Sequence, residues 1–370
     1  MKASVWTAAA MLAMSIAAIL AVVPQFEVMH QAEAIRKGAG VTGARWLSDY
    51  LPGLKDTAGD TEVFFLDSGR SGGTAVVLGG THPNEPSGYI TAVMLIENAR
   101  PTRGRLIVVP RANASGFTHT DYSEGSPQRF SLPTPAGERW FRFGSRATNP
   151  VHQWPDPDIY VHPSGQKLSG SETRNLNRAY PGRPDGTLTE QVAYAIVQLI
   201  RKEMADISID LHEASPEYPV INAMVAHDRA AEIGAAAVIG LQIEGIEIGL
   251  EPSPKTLRGL SHREWGDATD TLAILLESAN PSQGRLRGAT SAELVVSGKD
   301  RMYAAAARLG RLFVPFEGEG VHLNVRVARH TAAIVELLRT FSETAPGRAI
   351  DVEGIPSYED MVKRGIGSFL

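Results

Sequence analysis

Cysteine is absent from this chain of 370 residues, and its absence removes several kinds of site at once. A disulfide scaffold, a thiolate zinc site and a cysteine nucleophile are all excluded. Any bound metal ion must therefore be held by His, Asp or Glu side chains.

Long runs of one charge are also lacking. The formal net charge of -5 comes from 41 acidic and 36 basic residues that are spread along the chain. This balance makes nucleic acid an unfavourable partner. A hydrophobic share of 43% is enough to bury a large core in a chain of this length.

One long uncharged stretch is present, at the N-terminus. Lys2 is followed by an Ala-rich segment, residues 3–23, which ends at Pro24. The pattern predicts export, with residues 1–34 as a signal peptide cleaved near Ala32-Glu33-Ala34 or as a membrane anchor, because the stretch is long enough to span a bilayer. Either outcome places the rest of the chain in the periplasm or outside the cell. A buried core helix is the remaining alternative.

Short apolar runs alternate with amphipathic segments through the rest of the chain, which predicts an α/β layer fold. Several runs are continuously apolar, as in a sheet that is covered on both faces. The predicted strands are Glu62–Asp67, Thr74–Leu78, Arg105–Val109, Ile207–Leu211, Val220–Val225 and Thr271–Leu276, and the predicted helices are Pro86–Ala99, Leu188–Met204, Arg229–Ile239 and Asn324–Thr340.

Two segments interrupt this alternation, Thr118–Thr173 and Ser278–Ser291, and long loops of this kind are natural rims of an active site. The first contains three histidines that could approach a site, namely His119, His152 and His162. A Gly-x-Ser-x-Gly match at residues 69–73 offers Ser71 as a nucleophile. Because it lies between two strands expected to form a hairpin, the strand-to-helix turn of a serine hydrolase is not predicted there.

The first chemically informative passage begins with the strand Thr74–Leu78, which stops at two glycines and delivers His82 and then Glu85 at the start of a helix. A His nitrogen and a carboxylate oxygen placed in this way can converge on one cation. A lone His-x-x-Glu is weak evidence, since a solvated His and a Glu that favours the helix dipole give the same pattern.

A second strand also delivers a histidine at its end, His212, in the passage Asp210-Leu-His212-Glu213. Three ligands from two strand ends leave a fourth position open for water, which is the arrangement of a catalytic zinc site. The sequence therefore predicts one zinc ion per chain, held by His82, Glu85 and His212. The alternative for His212 is a core histidine satisfied by the backbone.

Two further passages supply groups for binding and proton transfer. Arg178 can grip a carboxylate in bidentate fashion while Asn177 adds a hydrogen bond, and Arg174 precedes them on the same segment. Glu277 is the first charge after an apolar strand, where it can act as a general acid and base. Glu213 is the next candidate for that role. A surface turn and a plain strand-ending Glu are the structural alternatives.

The order of these motifs, with Asn-x-x-Gly at residues 113–116 between the first two passages, resembles the zinc carboxypeptidase superfamily. Within it the succinylglutamate desuccinylase/aspartoacylase branch looks most similar. The resemblance runs from about residue 74 to residue 340 and implies a mixed, mostly parallel central sheet flanked by helices on both faces. It implies a single catalytic domain over residues 35–345 with a C-terminal tail over residues 346–370.

The same resemblance implies that His82, Glu85 and His212 bind zinc, that Asn177 and Arg178 hold a substrate carboxylate, and that Glu277 is the general base. The sequence departs from the branch at Asn175, where an Asp that orients a metal-binding His is usual. Asn still accepts a hydrogen bond but lacks the charge that raises the basicity of the His. We expect Asn175 and Asp210 to orient the metal ligands. The C-terminus is also too short for the small β-domain of several deacylases of this branch.

Three functions fit these residues. The first is zinc-dependent hydrolysis of an amide in a carboxylate-bearing small molecule, as in an N-acyl amino acid deacylase. The second is an exported metallocarboxypeptidase that acts on peptides, including cell-wall peptides. The third is a non-catalytic protein that binds such a ligand on the same fold, against which an intact Glu277 argues.

Overall fold

The fold is that of a computed structural model, which describes residues 2–121 and 126–370. Its centre is an eight-stranded sheet in the order β1-β2-β5-β3-β10-β13-β11-β12. The strands of this sheet are β1 (Val41–Trp46), β2 (Glu62–Asp67), β3 (Thr74–Leu78), β5 (Arg105–Val109), β10 (Ile207–Ala214), β11 (Ala223–Ala226), β12 (Gly249–Pro252) and β13 (Leu272–Ala279). The middle strands β5, β3, β10 and β13 are parallel, and β1, β2 and β11 add antiparallel pairings. The predicted mixed, mostly parallel sheet is confirmed.

The helices described are α1 (Lys2–His30), α2 (Pro86–Asn98), α3 (Leu188–Lys202), α4 (Ala231–Ile243), α5 (Ser261–Ala268), α6 (Ala292–Ser297), α7 (Arg301–Arg308), α8 (Leu323–Thr344) and α9 (Tyr358–Arg364). Five of them cover the two faces of the sheet. Helices α2, α4 and α8 pack on one face, and α3 and α5 pack on the other.

Strand β3 illustrates why the central runs are continuously apolar. Its residues Ala75 and Val77 point into the core beneath α2, α4 and α8, whereas Val76 and Leu78 point into the core beneath α3. Because successive side chains of a strand alternate between faces, a sheet covered on both sides needs an apolar residue at every position. The functional side chains therefore lie at the carboxyl ends of these strands, where the apolar run stops.

Two local expectations were wrong. Strands β2 and β3 do not form a hairpin, because β5 lies between them and pairs with both. The segment Thr118–Thr173 is not one continuous loop, since its described part holds two antiparallel hairpins. These hairpins are formed by β6 (Arg129–Thr134) with β7 (Gly137–Arg142) and by β8 (Ile159–Val161) with β9 (Lys167–Ser169).

The two ends of the chain differ in how they meet this layer structure. Within the described residues, α1 is the one helix that is long and apolar enough to span a membrane, judged by length and composition. The C-terminal residues 346–370, expected to be a tail, pack on the body of the fold. There β14 (Asp351–Glu353) pairs with β4 (Arg100–Arg103), and α9 packs on α8 through the buried Met361.

Candidate metal centre

The first two candidate ligands are placed by a tight turn between β3 and α2. At Gly80 the backbone has a φ of 70°, and a Cβ atom there would lie 2.8 Å from the ring of Phe117, so a side chain is excluded twice over. The turn then presents His82, and Glu85 immediately precedes the first residue of α2, Pro86. Proline suits this first helical position because it has no N–H to satisfy.

The third candidate ligand, His212, lies on β10 and meets the other two. Nδ1 of His82 is 2.8 Å from Oε1 of Glu85, and Nδ1 of His212 is 3.0 Å from Oε2 of the same carboxylate. The two Nδ1 atoms are 3.1 Å apart. All three side chains are buried, and their ligand atoms lie within 4.8 Å of one another. The structure thus brings together the three residues predicted to bind a metal ion.

The hydrogen bonds on the far side of each ring fix which nitrogen can bind a cation. Nε2 of His82 is 2.9 Å from Oδ1 of Asn175, and Nε2 of His212 is 2.8 Å from Oδ2 of Asp210. Both oxygens only accept hydrogen bonds, so each imidazole donates from Nε2 and, when neutral, carries its lone pair on Nδ1. Two lone pairs and a carboxylate then converge on one point, which fits a divalent cation such as zinc.

When no cation is bound, a proton on His212 supplies part of the positive charge that a metal ion would bring to the site. Burial works against protonation of His212, but the charges of Asp210 and Glu85 raise its pKa to about 10. Burial and Arg146 lower the pKa of His82 to about 4. A metal ion must therefore displace the proton from His212, and its binding should release protons and weaken as the pH falls.

Glu277 faces the same site from the neighbouring strand. In the parallel ladder between β10 and β13 it lies directly opposite His212. Its Oε2 atom is buried and has no hydrogen-bond partner among the residues that the structure describes. Burial raises the pKa of Glu277 to about 8, against the lowering effect of a protonated His212. A nearby cation favours the ionised form, which is the form that can take a proton.

Asn177 and Arg178 lie on the wall of the cavity that contains these residues, which has a volume of about 440 Å³. Oδ1 of Asn177 accepts from the backbone N–H of Ser261 at 2.8 Å, so its amide N–H groups remain as donors. Arg178 is largely buried, and its Nε is 3.8 Å from Oε2 of Glu172. Arg174 is not part of this group, because it pairs with Asp156 at 2.7 Å and does not line the cavity.

Two residues of the cavity were missed by sequence reasoning. Arg146 places Nη1 3.3 Å from Oε1 of Glu85, although it lies in the irregular segment after β7 and has no motif around it. His262 bonds through Nδ1 to Oγ of Ser253 at 2.8 Å. The same Oγ accepts from Nε of Arg263 at 3.0 Å, so Nδ1 of His262 is engaged away from the metal-type ligands.

The other candidates lie elsewhere. His162 bonds to the backbone oxygen of Tyr180 and His152 to Ser115, and neither these nor His119 lines the cavity. Ser71 is exposed on the turn between β2 and β3. A larger cavity of about 730 Å³ lies at the opposite ends of β10 and β13, beside Asp206 and Leu272. Among the described residues, His82, Glu85 and His212 form the only group of metal-type ligands.

Glu213 is held in a separate structural role. Its carboxylate binds Arg326 at 2.8 Å, and both side chains are fully buried. The same carboxylate accepts from the backbone N–H of Ser87 at 3.0 Å, while the backbone N–H of Glu213 donates to Glu85 at 2.9 Å. Glu213 thus holds Glu85 in place through its backbone, and its carboxylate, which also lines the cavity, is more strongly engaged than that of Glu277.

No family model matches the chain. It is 25% identical over 159 residues to the N-alpha-acetyl-L-2,4-diaminobutyric acid deacetylase of Halomonas elongata. That match covers 42% of this chain and 33% of the relative, so the chain aligns with about a third of that protein. The chain resembles the desuccinylase/aspartoacylase branch.

Solved structures of this branch and of metallocarboxypeptidases are similar to the chain at the level of fold. The product-bound ectoine utilization protein DoeB of Ruegeria pomeroyi is 21% identical with a TM-score of 0.37, covering 59% of this chain and 53% of that one. A carboxypeptidase A homologue of Shewanella denitrificans is 11% identical with a TM-score of 0.48, covering 87% and 68%.

The contacts of Asn175 show how a carboxylate can still support His82 although Asn stands where the sequence comparison expects Asp. While Oδ1 of Asn175 binds His82, its Nδ2 donates to Oε2 of Glu172 at 2.7 Å. The side-chain amide of Asn175 thus links the carboxylate of Glu172 to the ring of His82. We expect Glu172→Gln to weaken metal binding by roughly tenfold, at the lower end of what loss of a supporting partner costs.

The matched test is the double variant Glu172→Gln/Asn175→Asp, which moves the carboxylate next to His82 and should restore metal affinity. Asn175→Asp alone should help little, because it sets two carboxylates side by side. Equilibrium dialysis against a competing chelator measures all three variants. An unchanged metal affinity in Glu172→Gln would show that Glu172 does not support His82 through Asn175.

Proposed function

We propose that the protein is an exported zinc-dependent hydrolase that cleaves the amide bond of a carboxylate-bearing small molecule, in the manner of an N-acyl amino acid deacylase. The observation that carries the proposal is the meeting of three metal-type ligands with an unpartnered buried carboxylate oxygen, Oε2 of Glu277, in one cavity. A structural metal site would be closed by a fourth side chain and would need no such carboxylate.

The division of work among the residues follows from their positions. A bound zinc ion would supply a Lewis acid for the scissile carbonyl. Glu277 takes a proton from the attacking water and returns it to the departing amine, which avoids a charged leaving group. The guanidinium of Arg146, beside Glu85, adds positive charge where negative charge develops on the carbonyl oxygen.

The substrate carboxylate is assigned to Arg178 and Asn177. The pKa of Arg178 is lowered by burial and by the neighbouring charge of Arg146, so two cations share one wall of the cavity. An anionic substrate relieves that repulsion, and a planar guanidinium binds a carboxylate through two parallel hydrogen bonds. The relative from Halomonas elongata is named for an acetylated amino acid, which agrees with this class of substrate.

The proposal is tested by turnover of purified, metal-loaded protein on a panel of N-acyl amino acids and short peptides, each with a matched amide in place of the free carboxylate. A deacylase releases amino acid from the acylated set. Turnover restricted to peptides would identify the carboxypeptidase alternative. Metal binding without hydrolysis of any amide in the panel would identify the non-catalytic ligand-binding protein.

Replacing the carboxylate-binding arginine should act mainly on substrate binding. We expect Arg178→Ala to raise KM by at least tenfold with a smaller change in kcat, because the carboxylate is held alike in the ground state and the transition state. Arg174→Ala is the matched control, since its guanidinium pairs with Asp156 outside the cavity. Steady-state kinetics on the best substrate decide. A fall in kcat at constant KM would place Arg178 in the transition state alone.

A further inference from the structure

The segment that follows α1 is built into the folded domain. The side chain of Glu33 is almost completely buried and accepts from Nε of Arg142 at 2.7 Å and from Nη1 of Arg111 at 3.1 Å. Burial opposes ionisation, but the two guanidinium groups lower the pKa of Glu33, so it is a carboxylate. Met29, three residues earlier than Ala32, is also buried.

Backbone contacts extend this attachment on both sides of Glu33. Nη1 of Arg142 reaches the carbonyl oxygen of Met29 at 3.4 Å, and Nη2 of Arg139 donates to that of Ala34 at 2.6 Å. The backbone N–H of Arg36 donates to Glu97, which in turn binds Arg139. The chain from Met29 to Arg36 is thus attached to the hairpin β6–β7 and to α2 through hydrogen bonds and through the buried side chains of Met29 and Glu33.

Removal of a signal peptide at Ala32-Glu33-Ala34 would take Glu33 away. Arg142 is 5% exposed, and its side-chain hydrogen bonds in the described residues go to Glu33 and Met29, both on the removed side. A buried guanidinium would then lack its counter-charge, which is a strongly destabilising arrangement. Cleavage at this site would therefore remove the counter-charge of Arg142 together with residues that cover it, so the folded domain is stabilised by retaining Glu33.

The helix α1 has the length and composition of a membrane-spanning segment. Within Ser4–His30, the most apolar window has a mean hydropathy of 2.2 and is not buried by the rest of the protein. The 29 residues of α1 extend for about 40 Å at 1.5 Å per residue, more than the ~30 Å thickness of a hydrocarbon core.

An exposed apolar loop lies where this helix meets the domain. Helix α1 packs against the 3-10 helix Ala114–Thr118, whose Ser115 bonds to His152 at 2.8 Å. Burial and the neighbouring His30 lower the pKa of His152, which places the end of α1 beside this loop. Val151 and Trp154 on the same loop are 87% and 71% exposed. Tryptophan is enriched at the membrane–water interface, where one side of the ring is apolar and the other wet.

We propose that α1 is retained as a membrane anchor, fastened to the domain by Glu33, and that the loop carrying Val151 and Trp154 rests in the lipid headgroup layer. The partner is a phospholipid bilayer. This proposal does not depend on the hydrolase activity, since neither Glu33 nor the loop lines the cavity.

The first test is the state of the N-terminus in the full chain expressed in a bacterial host that exports it. Cells are fractionated, membranes are washed at high pH, and the intact mass of the protein is measured. We expect a membrane protein whose mass includes α1. A soluble protein that begins near residue 35 would overturn the proposal, whatever its activity.

The second test compares two neutralising variants on the same segment of the detergent-solubilised full chain. Glu33→Gln should lower Tm by several degrees, whereas Glu27→Gln, at an exposed position, should leave Tm unchanged. If Glu33→Gln does not accumulate, Arg111→Gln removes one of the two partners and provides the same comparison. Equal Tm values for the variant and wild type would show that Glu33 does not fasten the anchor.

The third test asks whether the loop touches lipid. The full chain in a Trp6→Phe background is placed in phosphatidylcholine vesicles with brominated acyl chains, which quench nearby tryptophan fluorescence. We expect Trp154→Phe to remove most of the quenching and Trp46→Phe, exposed on β1, to leave it in place. Quenching that survives Trp154→Phe would place the loop away from the bilayer and overturn this part of the proposal.

Discussion

Glu277→Gln should keep the fold and the metal ion yet lose most turnover. Gln matches Glu in shape, but its amide cannot accept a proton from water. General acid–base catalysis typically contributes on the order of 100- to 10,000-fold, so kcat should fall by at least that range. KM should change much less, because Arg178 and Asn177 hold the substrate independently of the proton transfer.

The pH dependence separates this role from a structural one. Glu277 must be ionised to accept a proton, so activity should rise with pH as Glu277 loses its proton. Burial raises the pKa of Glu277 to about 8 without a cation, and a bound dication should move this limb to lower pH. The limb should be absent from the residual activity of Glu277→Gln.

A matched control is Glu251→Gln, which makes the same substitution at an exposed position on the rim of the same cavity. Its kcat should stay near the wild-type value. If Glu277→Gln also kept a normal kcat with metal bound, Glu277 could not be the base. Glu213 would then be the next candidate, because it lines the same cavity, although its oxygens accept from Arg326 and from the backbone N–H of Ser87.

Loss of either candidate histidine ligand should abolish tight metal binding. Loss of a supporting partner alone typically costs roughly 10- to 100-fold in affinity, so His82→Ala and His212→Ala should each cost more than about 100-fold. Metal analysis after dialysis against a chelator measures the stoichiometry and the affinity. Unchanged values in both variants would falsify the site.

His152→Ala is the control for this experiment, because His152 bonds to Ser115 outside the cavity and should leave the metal content unchanged. Calorimetry in buffers of different ionisation enthalpy adds a second readout. Below the raised pKa of His212, metal binding should release about one proton from that ring in the wild type. A proton count of zero at neutral pH would show that His212 is already neutral without the metal ion.

The sequence predicts the central strands closely because a short, continuously apolar run indicates a strand that is buried on both faces of a sheet. Strands β2, β3 and β5 begin and end where predicted, because each holds a short continuous apolar run that starts next to a polar residue and suits a sheet covered on both faces. The pairing of β2 could not be predicted in the same way. A short connection suggests a hairpin, but the partner is decided by β5, a strand that comes later in the chain.

The residues of the candidate site likewise fall into those that the sequence predicts and those that it does not. His82, Glu85, His212 and Glu277 lie at the ends of strands, so the strands predict that they meet. Arg146 comes from an irregular segment and His262 from the first turn of the short helix α5; long-range packing brings both to the cavity, and no local pattern marks them. Arg174 was predicted to bind substrate because it lies next to Asn177 and Arg178 in sequence. In the structure its guanidinium forms an ion pair with Asp156 outside the cavity, which its position in the sequence does not reveal.

The register between β10 and β13 limits which changes in chain length this protein can accept. Eight consecutive residue pairs are aligned, and one of them joins His212 to Glu277. One residue inserted before His212 within β10 would turn its ring to the opposite face of the sheet, and two would restore the face but shift the ring by about 6.6 Å along the strand. Insertions and deletions in proteins that share this site should therefore accumulate in the connections and be absent from these two strands.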